Sequence, residues 1–145
     1  MRSEDTADFH IRWSWYNISR MYNLKANEFG ATMANGYALL NIDKEGTPST
    51  KLGPKMGMEP RSLTRMIKSL EEKGWIERKP DKRDKRMVKI FLTKEGENLR
   101  KKTRDYVIKF NERIYEEIDD KDLMTCFKVL KHINKLIDRN NIFNN

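Results

Sequence analysis

Between Thr47 and Gly74 the chain is punctuated so closely that few folds remain open to it. Thr47-Pro48 reads as a cap residue followed by proline at the first position of a short helix, where the missing N–H costs nothing. Gly57 closes that helix, because glycine readily takes the left-handed conformation of a tight exit. Glu59-Pro60 opens another helix by the same logic, and Gly74 ends it, so helix, glycine turn and helix fit within 28 residues. After Gly74 the period changes. Trp75–Lys79 and Met87–Leu92 read as two strands, with Val88, Ile90 and Leu92 alternating onto one face. The stretch between them is too long and too charged for a tight hairpin turn.

Helical patterns flank this segment on both sides. Phe9 to Phe29 lacks proline and internal glycine and predicts a long first helix closed near Gly30. Thr32 offers an N-cap for a second helix through Tyr37, Leu39, Leu40 and Ile42, ending before Gly46. Thr93 can cap a long helix carrying Leu99, Thr103, Tyr106, Phe110, Ile114 and Ile118. Asp119 and Asp120 end it and start a last helix with Leu123, Phe127, Leu130, Ile133 and Ile137. The tail Asn140–Asn145 is expected to fray. The fold class is therefore mainly α with a small β-hairpin. The apolar stripes at both ends need more cover than the central segment can supply, which a second subunit would provide.

Charge separates the same regions. Residues 51–104 hold 18 Lys and Arg against 8 Asp and Glu, a net of +10, while the rest of the chain is at −2. Solubility alone gives no reason for this segregation, and a polyanion-binding lobe on a neutral scaffold does. Projected at a helical period, the helix after Pro60 turns Leu63, Met66, Ile67 and Leu70 to one face. Arg61, Arg65, Lys68 and Glu72 fall on the other, flanked by Ser62 and Ser69. Such a row suits the major groove, where Arg can bridge guanine O6 and N7 and hydroxyls reach phosphates or bases. Arg61, Ser62, Thr64 and Arg65 are expected nearest the bases, with Glu72 turned from the phosphates or restraining a neighbouring Arg. The loop Lys82, Arg83, Asp84, Lys85, Arg86 is placed to reach a flanking minor groove, whose narrow walls concentrate negative potential. Asp84 is expected to pair with Arg83 or Arg86 and hold that guanidinium ready for insertion.

The stretch from Leu52 to Gly96 resembles the DNA-binding core of the MarR family. It carries the run LTRMIKSLEEKGWIERKPD from Leu63 to Asp81, the wing Asp81-Lys82-Arg83-Asp84-Lys85-Arg86 and the closure Leu92-Thr93-Lys94-Glu95-Gly96. The resemblance implies a single domain over 1–145, with a winged helix-turn-helix lobe at 31–93 and dimerisation helices at 8–29 and 94–140. It also implies a homodimer on double-stranded DNA whose two recognition helices read half-sites of a pseudo-palindrome, normally as a repressor. Arg65, Ser62 and Thr64 match recognition-helix contact positions, and Asp84 and Arg86 match the wing. An effector pocket for small aromatic or phenolic anions is implied too, and Trp13, Tyr16 and Tyr37 are candidates to line it, although aromatics at helical spacing are more often core residues. The chain departs from the family at Gly53-Pro54, where proline should kink or shorten the helix.

Other functions leave little trace. There is no glycine-rich phosphate loop, no His-Glu-x-x-His and no nucleophile elbow, so no catalytic residues, metal or cofactor are expected. His10 and His132 lie far apart in sequence, and Cys126, the single cysteine, reads as a buried, inert thiol. The absence of a long apolar run or a leader pattern points to the cytoplasm and away from membranes. Two alternatives stay open: a sequence-indifferent architectural DNA- or RNA-binding protein, and a redox-responsive regulator acting through Cys126.

Overall fold

The computed structural model describes residues 1–139 and 142–143, and the chain divides into two units, Met1–Asp105 and Tyr106–Asn145. Of the tail expected to fray, positions 140, 141, 144 and 145 lie outside the described residues. In the first unit, α1 (Ala7–Asn27) is followed by α2 (Met33–Leu40). Thr32 caps α2 as expected, and the cap is reciprocal: its hydroxyl accepts from the Asn35 N–H at 3.1 Å, while the Asn35 side chain accepts from the Thr32 N–H at 3.0 Å. The helix ends at Leu40, and Ile42 is buried in the turn beyond it.

Thr47-Pro48 corrects the sequence reading. The pair forms a short strand, β1, opposite Ile90 and Lys89, and does not open the helix. Buried Thr47 accepts the Asp43 N–H through its hydroxyl at 2.8 Å, so its side chain serves the preceding turn. The helix α3 starts one residue later and spans Ser49–Met56, with Pro54 inside it. Gly57 then adopts φ 64°, the left-handed exit. Next comes α4 (Pro60–Glu72), with proline at its first position, then β2 (Ile76–Pro80) and β3 (Val88–Leu92). The sheet therefore has three antiparallel strands in the order β1-β3-β2, where sequence patterning showed two. A two-residue strand is too short to carry an alternation signal.

The core of this unit gathers Leu39 of α2, Ile42 in the turn after it, Leu52 of α3, Ile67 and Leu70 of α4, Ile76 and Ile90 of the sheet, and Leu99. Leu63 and Met66 pack against it, so the apolar face projected for α4 is the one buried. Full burial of a side chain such as Leu70 is worth roughly 1.5–3 kcal/mol, enough to fix which face of α4 turns outward. Val88 departs from the expected alternation and is 40% exposed, because the hairpin has left the core where Val88 pairs with Pro80.

A tight knuckle joins the exit of α4 to the start of α5 (Lys94–Glu117). Thr93 donates its hydroxyl to the Gly74 carbonyl at 2.6 Å and its N–H to the Trp75 carbonyl at 3.1 Å. The same hydroxyl accepts the Gly96 N–H at 3.0 Å, so Thr93 caps α5 as expected. The second unit holds the rest of α5 and α6 (Asp120–Asp138), whose cap Asp119 accepts the Lys121 N–H. Leu123 is buried, whereas Met124, Phe127, Val129, Leu130, Leu136 and Ile137 are exposed. Cys126 is exposed as well, against the expectation of a buried thiol. Its apolar neighbours on α6 lie open, so the single chain has no core there to cover it.

Candidate nucleic-acid interface

With Ile67 and Leu70 anchored, α4 presents Arg61, Ser62, Thr64, Arg65 and Lys68 to solvent, and Ser69 sits half-buried at the edge of that face. Among the described residues Arg61, Arg65 and Lys68 enter no ion pair or hydrogen bond, so their donors are free for an incoming anion. Thr64 differs: its hydroxyl donates to the Pro60 carbonyl of its own helix at 2.9 Å. What it offers outward is therefore a lone pair and a methyl group, suited to accepting from a base amino group or touching a thymine methyl.

The cations of the lobe divide by use. Lys55 pairs with Asp43 at 3.1 Å, Lys73 donates to the Gly30 carbonyl at 2.8 Å, and Arg100 donates to the Leu39 carbonyl at 3.2 Å. Lys102 lies over the Phe29 ring, 4.4 Å from its centroid, and Lys89 reaches Asp81 at 3.7 Å. These five brace the scaffold. The side chains of Lys82, Arg83, Lys85 and Arg86 at the hairpin tip make no such contact among the described residues and are exposed, as are those of Lys51, Lys94, Lys101 and Arg104 elsewhere on the lobe.

The tip is shaped by its two aspartates acting on backbone. Asp84 accepts the Arg86 N–H at 3.1 Å, and Asp81 accepts the Arg83 N–H at 3.4 Å, each carboxylate reaching two residues ahead in an Asx turn. The Asp81 N–H meets the Met87 carbonyl at 2.8 Å and the Met87 N–H meets the Asp84 carbonyl at 3.0 Å. Asp84 thus orders the turn through the Arg86 amide, and the expected grip on a guanidinium is not made. A carboxylate this short satisfies the nearby amide first, and among the described residues both guanidinium groups are without a partner.

The restraint foreseen for Glu72 belongs to its neighbour. Arg78 of β2 donates from Nε to one Glu71 carboxylate oxygen at 3.1 Å and from Nη2 to the other at 2.9 Å. Those bonds hold the Glu71 carboxyl below its ordinary pKa and raise that of Arg78, so both are charged at neutral pH. Glu72 is exposed, and its side chain enters no ion pair or hydrogen bond among the described residues. Residues seven apart across a chain reversal give no periodic signal, so this contact was not visible in the sequence.

The aromatic candidates on α1 form a ladder. Phe9 meets Trp13 edge-on with ring centroids 6.4 Å apart, and Trp13 meets Tyr16 at 6.0 Å. Trp13 and Tyr16 are each more than half exposed, and Tyr37 stands exposed on α2. A shallow groove of about 240 Å³ lies elsewhere in the first unit, lined by Phe29, Trp75, Glu95, Asn98, Leu99 and Lys102. None of the three aromatic candidates lines it.

The family model described as MarR family matches residues 37–88, from α2 to the first residue of β3. YhbI of Bacillus subtilis, described as an HTH-type transcriptional regulator, is 30% identical over 111 residues, which is 76% of this chain and 72% of that protein. Among solved structures, the Staphylococcus aureus MepR–DNA complex superposes with a TM-score of 0.81 at 16% identity, over 90% of this chain and 97% of that one. CouR from Rhodococcus jostii, solved bound to p-coumaroyl-CoA, gives 0.77 at 24% identity, over 92% and 94%. At these identities the two structures speak for the fold.

Proposed function

Because the chain belongs to the MarR family of transcriptional regulators, we propose that it is a sequence-specific DNA-binding regulator that reads a pseudo-palindromic operator as a homodimer. The observation that carries this reading is the division of labour among the lobe's cations. Those that brace the scaffold are paired, whereas Arg61, Arg65 and Lys68 on α4 and the four at the wing tip are exposed and, among the described residues, unpaired, as are Lys51, Lys94, Lys101 and Arg104 elsewhere on the lobe. In this reading α4 enters the major groove. Arg61, Ser62, Thr64, Arg65, Lys68 and Ser69 divide between base edges and flanking phosphates, and Lys82, Arg83, Lys85 and Arg86 follow the neighbouring minor groove. Asp84 keeps the wing turn in shape.

The regulator acts as a repressor released by a small aromatic or phenolic effector. CouR's p-coumaroyl-CoA complex and the exposed Trp13–Tyr16 ladder support that part. The experiment that tests the reading starts from duplexes selected out of a random pool by the purified full-length chain. Arg65→Ala should relax base preference at one position of the selected site by about 1–3 kcal/mol. Arg86→Ala should weaken binding more evenly across sequences and flatten the salt dependence. Equal loss on every sequence from Arg65→Ala would remove it from base reading.

A further inference from the structure

The contact between Glu71 and Arg78 joins the two elements proposed to touch DNA, and neither charge nor stability accounts for it. Glu71 sits in the last turn of α4, Arg78 in the middle of β2, and the chain reverses between them at Gly74. A lobe selected only for attraction to phosphate would leave Arg78 free and keep a carboxylate away from position 71. As an exposed pair it adds little to folding stability. What a two-bond fork does supply is geometry, since it fixes the plane of the guanidinium against the carboxylate. Its position matters for the same reason. Along β2 itself only Ile76 is buried; Arg78 stands opposite buried Ile90 of β3, so from there outward this edge strand meets the core through its partner strand and not through its own side chains. Arg78 lies two residues beyond Ile76, about 7 Å along the strand.

We propose that Glu71 and Arg78 are positioning residues for operator recognition: their fork sets the angle between α4 and the wing hairpin, and so the spacing between base-reading side chains and wing tip. This rests on the DNA-reading function proposed above. An element held at one angle fits one combination of groove geometry and site sequence, whereas a loose one fits many weakly.

The test uses the selected duplex and a scrambled one, with wild type, Glu71→Gln, Arg78→Gln and the double variant, each with its thermal midpoint. Electrostatics alone makes Glu71→Gln bind both duplexes more tightly, because an anion is lost and a cation is freed. The positioning role has a different signature. Glu71→Gln should bind the scrambled duplex at least as well as wild type while its preference for the selected duplex falls about tenfold. Arg78→Gln should lose preference by a similar factor, and the double variant should lose no more than either single one. An unchanged preference in Glu71→Gln overturns the proposal. So do losses that multiply in the double variant, or a midpoint that falls along with the preference. If wild type itself selects no sequence, the DNA-reading function falls and the positioning role with it. If wild type selects a site and Glu71→Gln keeps its preference, only the positioning role falls.

Discussion

A methyl group at position 96 would collide with the carbonyl oxygen of Trp75, which backbone on both sides prevents from moving away. Gly96 is where α5 touches the exit of α4, and the Thr93 bonds to Gly74 and Trp75 draw the two strands of chain together there. Gly96→Ala should therefore destabilise the fold by roughly 3 kcal/mol, the upper end of overpacking costs, as read from denaturant unfolding. A variant as stable as wild type would mean the knuckle is looser than its contacts imply. Single side chains on α4 were the most legible part of the site. Helical projection alone separated Arg61, Arg65 and Lys68 from Ile67 and Leu70, and burial follows that division. What projection could not convey is the internal bond of Thr64, which depends on whether its rotamer reaches the Pro60 carbonyl.

Elements were legible where capping or a long period marks them, except at Thr47-Pro48, whose cap signal belongs to a strand. Thr32, Gly57, Pro60, Gly74, Thr93 and Asp119 all stand at the turns or caps their chemistry suggests. Contacts that need the chain to fold back were not legible. Strand β1 exists only because Thr47 meets Ile90, and the Glu71–Arg78 fork only because β2 returns beside α4. The burial of Cys126 was misread for a related reason, since composition indicates that a stripe is apolar but not that the same chain covers it. Pro54 gives an element-scale prediction. Inside α3 it cannot donate to the carbonyl of Thr50, four residues earlier. Pro54→Ala supplies that donor and should raise stability by about 1–2 kcal/mol in thermal or denaturant unfolding, with DNA affinity unchanged. A loss of stability would mean that proline's stiffening of the unfolded chain outweighs the missing bond.

At the scale of the whole molecule, apolar side chains remain open in both units. On α1 these include Trp13, Trp15 and Leu24, and on α6 Met124, Phe127, Leu130 and Ile137. A homodimer that covers them should show a mass about twice 17.3 kDa by light scattering. Leu130→Asp should shift it toward the monomer and weaken DNA binding with it, since two lobes must engage together to read two half-sites. A wild-type chain that stays at the monomer mass would contradict this part of the reading. The central claim, that unpaired cations on α4 and the wing read sequence and do not merely attract phosphate, is tested most directly by comparing affinities for a selected duplex and its scrambled version across salt. The expected result is a preference of ~10³ or more that survives as salt weakens both complexes. A ratio near one at every salt concentration would contradict it.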